Sequence, residues 1–284
     1  MLEPDDERRG RRDLADTLKQ LRKAAGLSGE RLAARAAMSQ SKISRIESGR
    51  SLPSVSDVER LMKALDVPPD AQQDILTVAR AANVDYVSVR ASARKGIWRR
   101  QAEIKALCES SKSVRHFLPA IPSGLLQTAD YARAALTPVI EGNPARDIER
   151  AVRTRLDAQS VLDDESRQFH FLLTEQAVRI KRASSAVMVE QLRHLAEVSQ
   201  RPNVDLAIVP SSELVGASPL NIFVVYDERL VTVEIFSGSV ALRDYRDISY
   251  HLNVFDYFRE RAVSENDARR LLSSVADEFM RGPD

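Results

Sequence analysis

The chain has 284 residues, 43% of them hydrophobic and 29% charged, a length that favours two domains over one with ample sequence to bury cores. No apolar run approaches the roughly 18 residues of a membrane span, and the N-terminus lacks the apolar core of a signal peptide. The single cysteine, Cys108, excludes an internal disulfide and a cysteine-rich zinc site, and the cytoplasm is the expected compartment. A net charge of +1 hides an asymmetry: residues 1–100 hold 20 Lys and Arg against 14 Asp and Glu, and the remainder 22 against 27. A basic head on an acidic body suits a DNA-binding head whose body does not wrap DNA.

In chain order, residues 1–12 are charged and lack apolar periodicity, so they read as a mobile basic arm. Arg8, Arg9, Arg11 and Arg12 can follow a phosphate backbone or enter a minor groove, or can simply be solvated. Leu14, Leu18 and Leu21 form the inner stripe of a first helix that ends at Gly26. Ser28 is an N-cap candidate before Leu32, Ala33 and Ala36, and Ser39 caps the next helix almost at once. In that helix the apolar residues are only Ile43 and Ile46, which leaves most of its surface free, and Gly49 supplies the stop. Ser54 with Asp57 forms a capping box before Val58, Leu61, Met62 and Leu65. Residues 70–82 read as a fifth helix with Ile75, Leu76 and Val78 inside.

The exposed face of the third helix carries chemistry. Gln40 and Ser41 lie in its first turn and Arg45 one turn later, and these side-chain types pair with adenine, several base edges and guanine in a major groove. Lys42, Ser44 and Arg50 flank them as candidate phosphate contacts, and a helix N-terminus itself attracts a phosphate.

With the GLS, LA and SQSKISRIESG segments in this order, the head resembles the helix-turn-helix of lambda-repressor-like (xenobiotic-response-element type) regulators over about residues 14–78. The resemblance makes Gln40, Ser41 and Arg45 the base readers. It adds Ser28, Arg31 and Ser39 to Lys42, Ser44 and Arg50 as the phosphate set, and pairs Arg22 with Glu47 as a partly buried ion pair. Two residues depart from the pattern: Ala37 stands at the turn position usually held by glycine, and Gly29 replaces the usual glutamine. The competing reading is a helical hairpin whose polar face is merely solvated.

Residues 91–113 read as a basic helical connector or part of a dimer seam, with Ile97, Trp98, Ile104 and Leu107 as a thin apolar stripe. Residues 117–136 pass through two prolines and a glycine into a helix capped by Thr128, and residues 144–162 are helical. Residues 169–173 then read as a strand, 174–182 and 185–199 as helices, 203–210 as a strand, and 222–226 with 230–236 as a hairpin. Two helical patterns close the chain, the last opened by a capping box of Ser264 and Asp267. The expected fold is therefore an N-terminal all-α five-helix helix-turn-helix domain plus a C-terminal α+β domain, a small sheet covered by helices. The boundaries are an arm at 1–12, a head at 13–83, a connector at 84–113 and a regulatory or oligomerisation body at 114–284.

The segments IPSGLLQTADYARAAL, RTRLDAQ, FLLTEQAVRIK and FVVYDERLVTVEIFSG are similar to the C-terminal domain of WhiJ-like actinobacterial regulators, from about residue 97 to 279. That resemblance implies an antitoxin-like or developmental repressor whose body receives a protein or small-molecule signal. Ser123 inserted between Pro122 and Gly124, and Ala158 before Gln159, depart from the pattern. Gln127, Tyr131, Arg155 and Gln159, from the matching segments, are a candidate signal pocket, with surface hydrogen bonding as the plainer alternative.

Catalytic patterns are missing from the sequence. His116, His170, His194 and His251 lie far apart without metal-ligand spacing, and no GxSxG, GxGxxG or GxxxxGK occurs. The expectation is a non-enzymatic, cofactor-free and metal-free regulator of transcription, a repressor and homodimer on a double-stranded DNA operator. The alternative is an antitoxin-like module that sequesters a small partner protein and autoregulates its own operon.

Overall fold

The computed structural model describes residues 4–89, 92–93, 96–140 and 147–282. By compactness the chain divides into two units: Met1–Asp85 with Ala241–Asp247, and Tyr86–Val240 with Ile248–Asp284. Segment 241–247 therefore joins the head, although its position in the sequence assigns it to the body.

The first unit holds five helices: α1 (Pro4–Ala24), α2 (Gly29–Arg35), α3 (Gln40–Glu47), α4 (Val55–Ala64) and α5 (Pro69–Ala82). Leu14, Leu18, Leu32, Ile43, Ile46 and Leu61 meet in one core, as their helical spacing requires. The Ser54–Asp57 capping box forms at the start of α4. Gly49, with φ of 67°, ends α3 in the left-handed conformation that glycine adopts without a steric cost.

Two expectations change here. Helix α1 already begins at Pro4, so most of the predicted mobile arm is helical; residues 1–3 and the Arg8, Arg9, Arg11 and Arg12 side chains lie outside the described part. Val78 is exposed instead of inside, because the inward positions after Ile75 fall at Ala79 and Ala82.

A mixed eight-stranded sheet draws most of its residues from the second unit. Its strands are β1 (Val84–Ser88), β2 (Ser113–Leu118), β3 (Gln168–Thr174), β4 (Val204–Val209), β5 (Ile222–Tyr226), β6 (Leu230–Ile235), β7 (Gly238–Leu242) and β8 (Val263–Ser264). Their order is β1-β7-β6-β5-β2-β3-β4-β8. The pairs β2–β3 and β3–β4 are parallel, whereas β2–β5, β5–β6 and β4–β8 are antiparallel. Among the described residues this part carries the helices α6 (Ile97–Glu109), α7 (Ala129–Leu136), α8 (Ile148–Ala158), α9 (Glu175–Arg179), α10 (Ser185–Val198), α11 (Tyr245–Arg259) and α12 (Glu265–Arg281). Phe169, Phe171, Leu173, Leu192, Leu206 and Leu272 belong to the main core.

The sheet is larger than its hairpin and two isolated strands suggest. β2 escapes the apolar-alternation pattern because a buried histidine, His116, interrupts it, and β1 lies in the segment expected to be a connector. The predicted Ser264–Asp267 capping box does not form: Ser264 pairs with Ala207 in the sheet, Glu265 takes a positive φ of 50°, and Asp267 binds Arg270. Residues 144–146 of the predicted 144–162 helix lie outside the described part, and α8 begins at Ile148.

Candidate nucleic-acid interface

Helix α3 is anchored on one side and open on the other. Ile43 and Ile46 are 2% and 1% exposed, while Gln40, Ser41, Ser44 and Arg45 are all exposed. At 100° per residue, positions 40, 41, 44 and 45 share the side away from that anchor. Ser39 Oγ accepts from the Lys42 amide at 3.2 Å, and Ser28 Oγ accepts from the Arg31 amide at 3.2 Å. Two of the three serines assigned to the phosphate set, Ser28 and Ser39, thus act as N-caps, and with Ser44, Arg31 and Arg50 they remain exposed.

The turn between α2 and α3 carries Ala37 at φ 51°, the left-handed region that costs an L-residue about 1–2 kcal/mol. The Met38 amide closes it by donating to Ala33 O at 2.9 Å. The chain therefore makes the usual turn with an unusual residue.

Two ion pairs fix the angle of α3. Arg22 donates from Nε and Nη2 to the two carboxylate oxygens of Glu47 at 2.6 and 2.8 Å, and from Nη1 to Leu27 O at 2.8 Å. Hydrogen bonding to Glu47 raises the guanidinium above its ordinary value, against the opposing effect of burial. At the other end Lys42 Nζ donates to Asp57 Oδ1 at 2.8 Å, as does Arg60 Nη2 at 2.5 Å. Burial pushes the Asp57 carboxyl up, but bonds from Lys42, Ser54 and Arg60 together hold it below the usual carboxylate range. Sequence reasoning found Asp57 as a cap and Lys42 as a phosphate contact, and missed that they bind one another; nothing local in a 15-residue separation announces such a pair.

In the body, the four candidate signal residues do not form one pocket. Arg155 Nη1 donates to Gln127 Oε1 at 2.5 Å, and Gln127 Nε2 donates to Pro122 O at 2.8 Å. Gln159 Nε2 donates to Gly124 O and Gln127 O at 3.1 and 2.7 Å. Gln127 and Arg155 line a cavity of about 360 Å³, whereas Gln159 braces the loop beside it and Tyr131 is buried away from the lining. Burial pushes the Tyr131 hydroxyl up to about 12, and that hydroxyl has no hydrogen-bond partner. Gln101, His116 and Ser123 also line the cavity, and no motif marks them.

Among the described residues, no group of three His, Cys, Asp or Glu side chains is arranged to hold a metal ion, and no helix is long and apolar enough to cross a membrane.

A helix-turn-helix domain family matches residues 13–74, which places the head in the helix-turn-helix class. A second family, a domain of unknown function (DUF5753), matches residues 101–274, well over half of the chain, and the chain belongs to it. No curated protein matches the chain. Among solved structures the chain is similar to TrmBL2, described as an archaeal chromatin protein with a novel mode of DNA binding, at 15% identity and a TM-score of 0.31. The likeness covers 73% of this chain and 66% of TrmBL2, just under two thirds of that protein's length. It is similar to Nuc of Salmonella typhimurium, a phospholipase D family member, at 10% identity and a TM-score of 0.33, covering 58% of this chain and 90% of that one. The corresponding values for NucT from Helicobacter pylori are 11%, 0.36, 64% and 98%. At these TM-scores the three likenesses carry no weight for function.

Proposed function

We propose that the chain is a sequence-specific, non-catalytic DNA-binding regulator of transcription, a repressor that acts as a homodimer and senses a signal through its body. The observation that carries this reading is the single free side of α3: Gln40, Ser41 and Arg45 are exposed together while Ile43 and Ile46 hold the helix to the core. Gln40 brings one donor and one acceptor suited to adenine, Arg45 brings paired donors suited to guanine, and Ser41 adapts to several base edges. Ser28, Arg31, Ser39, Ser44 and Arg50 are the phosphate contacts in this reading; Lys42 joins them only by leaving Asp57. A homodimer would set two α3 helices about one turn of DNA apart. Footprinting on sites selected from random duplexes tests this reading. It predicts two protected half-sites about 10 base pairs apart centre to centre, and uniform coverage of all sequences contradicts it.

Exposed Leu214, Leu220 and Phe236 on the body favour a second reading, the antitoxin-like module. A stoichiometric small protein that co-purifies with the chain, and is lost on deleting residues 175–236 but not the head, supports it; co-purification of nothing stoichiometric counts against it.

A further inference from the structure

We infer that the cavity in the body binds an uncharged, largely apolar small molecule, in a space bounded by α6 and by strands β2, β5 and β6. The inference names a ligand class for the signal-sensing part of the proposed function and rests on that reading for its biological meaning, though not for its chemistry.

The described lining residues all fall between Val87 and Ser239, so the cavity belongs to the second unit alone. Its floor follows from strand register. His116 pairs with Val224 and Val224 with Thr232, so these three form one row across β2, β5 and β6. Residues two apart share a face, which brings Leu118 and Ile222 to the same side. Ile104 and Leu107 of α6 extend the apolar lining. Water against these side chains finds no hydrogen-bond partner in them, and an apolar occupant releases it. The volume, about 360 Å³, lies at the lower end of the range for small-molecule sites, which sets the scale of the occupant.

The charges around the cavity decide the class. Two arginines and two glutamates stand among the described lining residues, so their formal charges cancel. Arg100 pairs with Glu234 at 3.4 Å. Arg155 donates to Gln127 Oε1 at 2.5 Å and to Gln101 Oε1 at 3.4 Å, and Gln127 is itself held by its bond to Pro122 O at 2.8 Å. Glu103 is exposed at the rim, where water solvates it. A charged ligand would have to shed its own water and break one of these existing arrangements, a trade that burial makes unfavourable. An uncharged ligand displaces none of them.

His116 adds no charge either. It is 3% exposed, stacks on Phe171 at 4.7 Å, and its Nδ1 lies 3.5 Å from Ser123 Oγ. Burial pulls its pKa down to about 3, so the ring is neutral at physiological pH. The floor is therefore an aromatic and aliphatic surface without an ion in it.

The probes are 2-octanone, which is uncharged, and octanoate and octylammonium, which carry the two signs on chains of the same length; the full-length chain without DNA is the target. Titration calorimetry at pH 7.5 should show 2-octanone binding about tenfold or more tighter than either ion. Val224→Trp, which fills the floor, should abolish binding of the ketone while the circular dichroism spectrum is retained. Should that variant fail to fold, the His116 ring resonances of the unaltered chain decide: they shift at saturating 2-octanone if the site is right. Either ion binding as tightly as the ketone, no binding of 2-octanone up to its solubility limit, binding unchanged in a folded Val224→Trp, or unmoved His116 resonances would overturn the proposal. Operator affinity with and without 2-octanone is a separate measurement, so failure of the regulatory reading and failure of the site are told apart.

Discussion

Lys42 of α3 and Asp57 at the start of α4 meet at 2.8 Å, and the Asp57 carboxylate, which also accepts from Arg60, is almost wholly buried. One buried carboxylate thus closes the α4 capping box and ties down the N-terminal half of α3. A residue that the sequence marks for phosphate is engaged inside its own domain.

Asp57→Asn should therefore destabilise the head by about 1–2 kcal/mol, the gain from two cations being discounted because both are more than a third exposed. The pH dependence follows from the lowered carboxyl. Its contribution is fully present above the unfolded value of about 3.9 and is lost as pH falls through the lower folded value. Urea melts between pH 7 and pH 2.5 check this: the variant should lose stability at neutral pH and show a shallower acid decline. Equal midpoints at pH 7 would show that the Asp57 pairs do not stabilise the head.

The same engagement separates two cations on DNA. Lys42→Met is expected to lower head stability and leave the salt dependence of operator binding unchanged, whereas Arg50→Ala should reduce that slope by about one counterion. Affinity measured across a salt series distinguishes them, and a reduced slope for Lys42→Met would mean that Lys42 exchanges Asp57 for phosphate.

Arg22 and Glu47 are a tighter pair, with side chains only 15% and 11% exposed and two parallel bonds between them. Removing one partner leaves a half-buried charge, so Arg22→Ala should cost about 3 kcal/mol. In a double-mutant cycle, adding Glu47→Ala should cost much less than it does alone. Strict additivity of the two in urea denaturation would contradict a direct interaction.

Ala37→Gly should stabilise the head by about 0.5–1 kcal/mol, since relief of the left-handed strain at φ 51° outweighs the added freedom of the unfolded chain. Thermal melting reads the difference, and a lower melting temperature would show that the alanine methyl makes a contact that offsets its strain.

Much of the head is legible because its signals are local. Ser28, Ser39, Ser54 and Gly49 punctuate the helices, and Leu14, Leu18, Ile43 and Ile46 recur at helical spacing. The body is less so, because its information lies in pairing between distant strands. His116 breaks the apolar pattern of β2, and the row from His116 to Val224 and Thr232 exists only once three strands align. Of the four polar residues singled out in the body, the two glutamines and the arginine do meet, but Tyr131 does not line the cavity. Their helix and loop positions are readable, and the direction of each side chain is not.

Base reading by α3 is the property on which the proposed function depends. Selection of bound duplexes from a random library, with the full chain and with Arg45→Ala, tests it most directly. A defined half-site is expected, and in the variant a loss of preference at one base pair worth about 1–3 kcal/mol with the rest of the site retained. A library from which the chain enriches no sequence, or an Arg45→Ala profile weakened uniformly at every position, would contradict it.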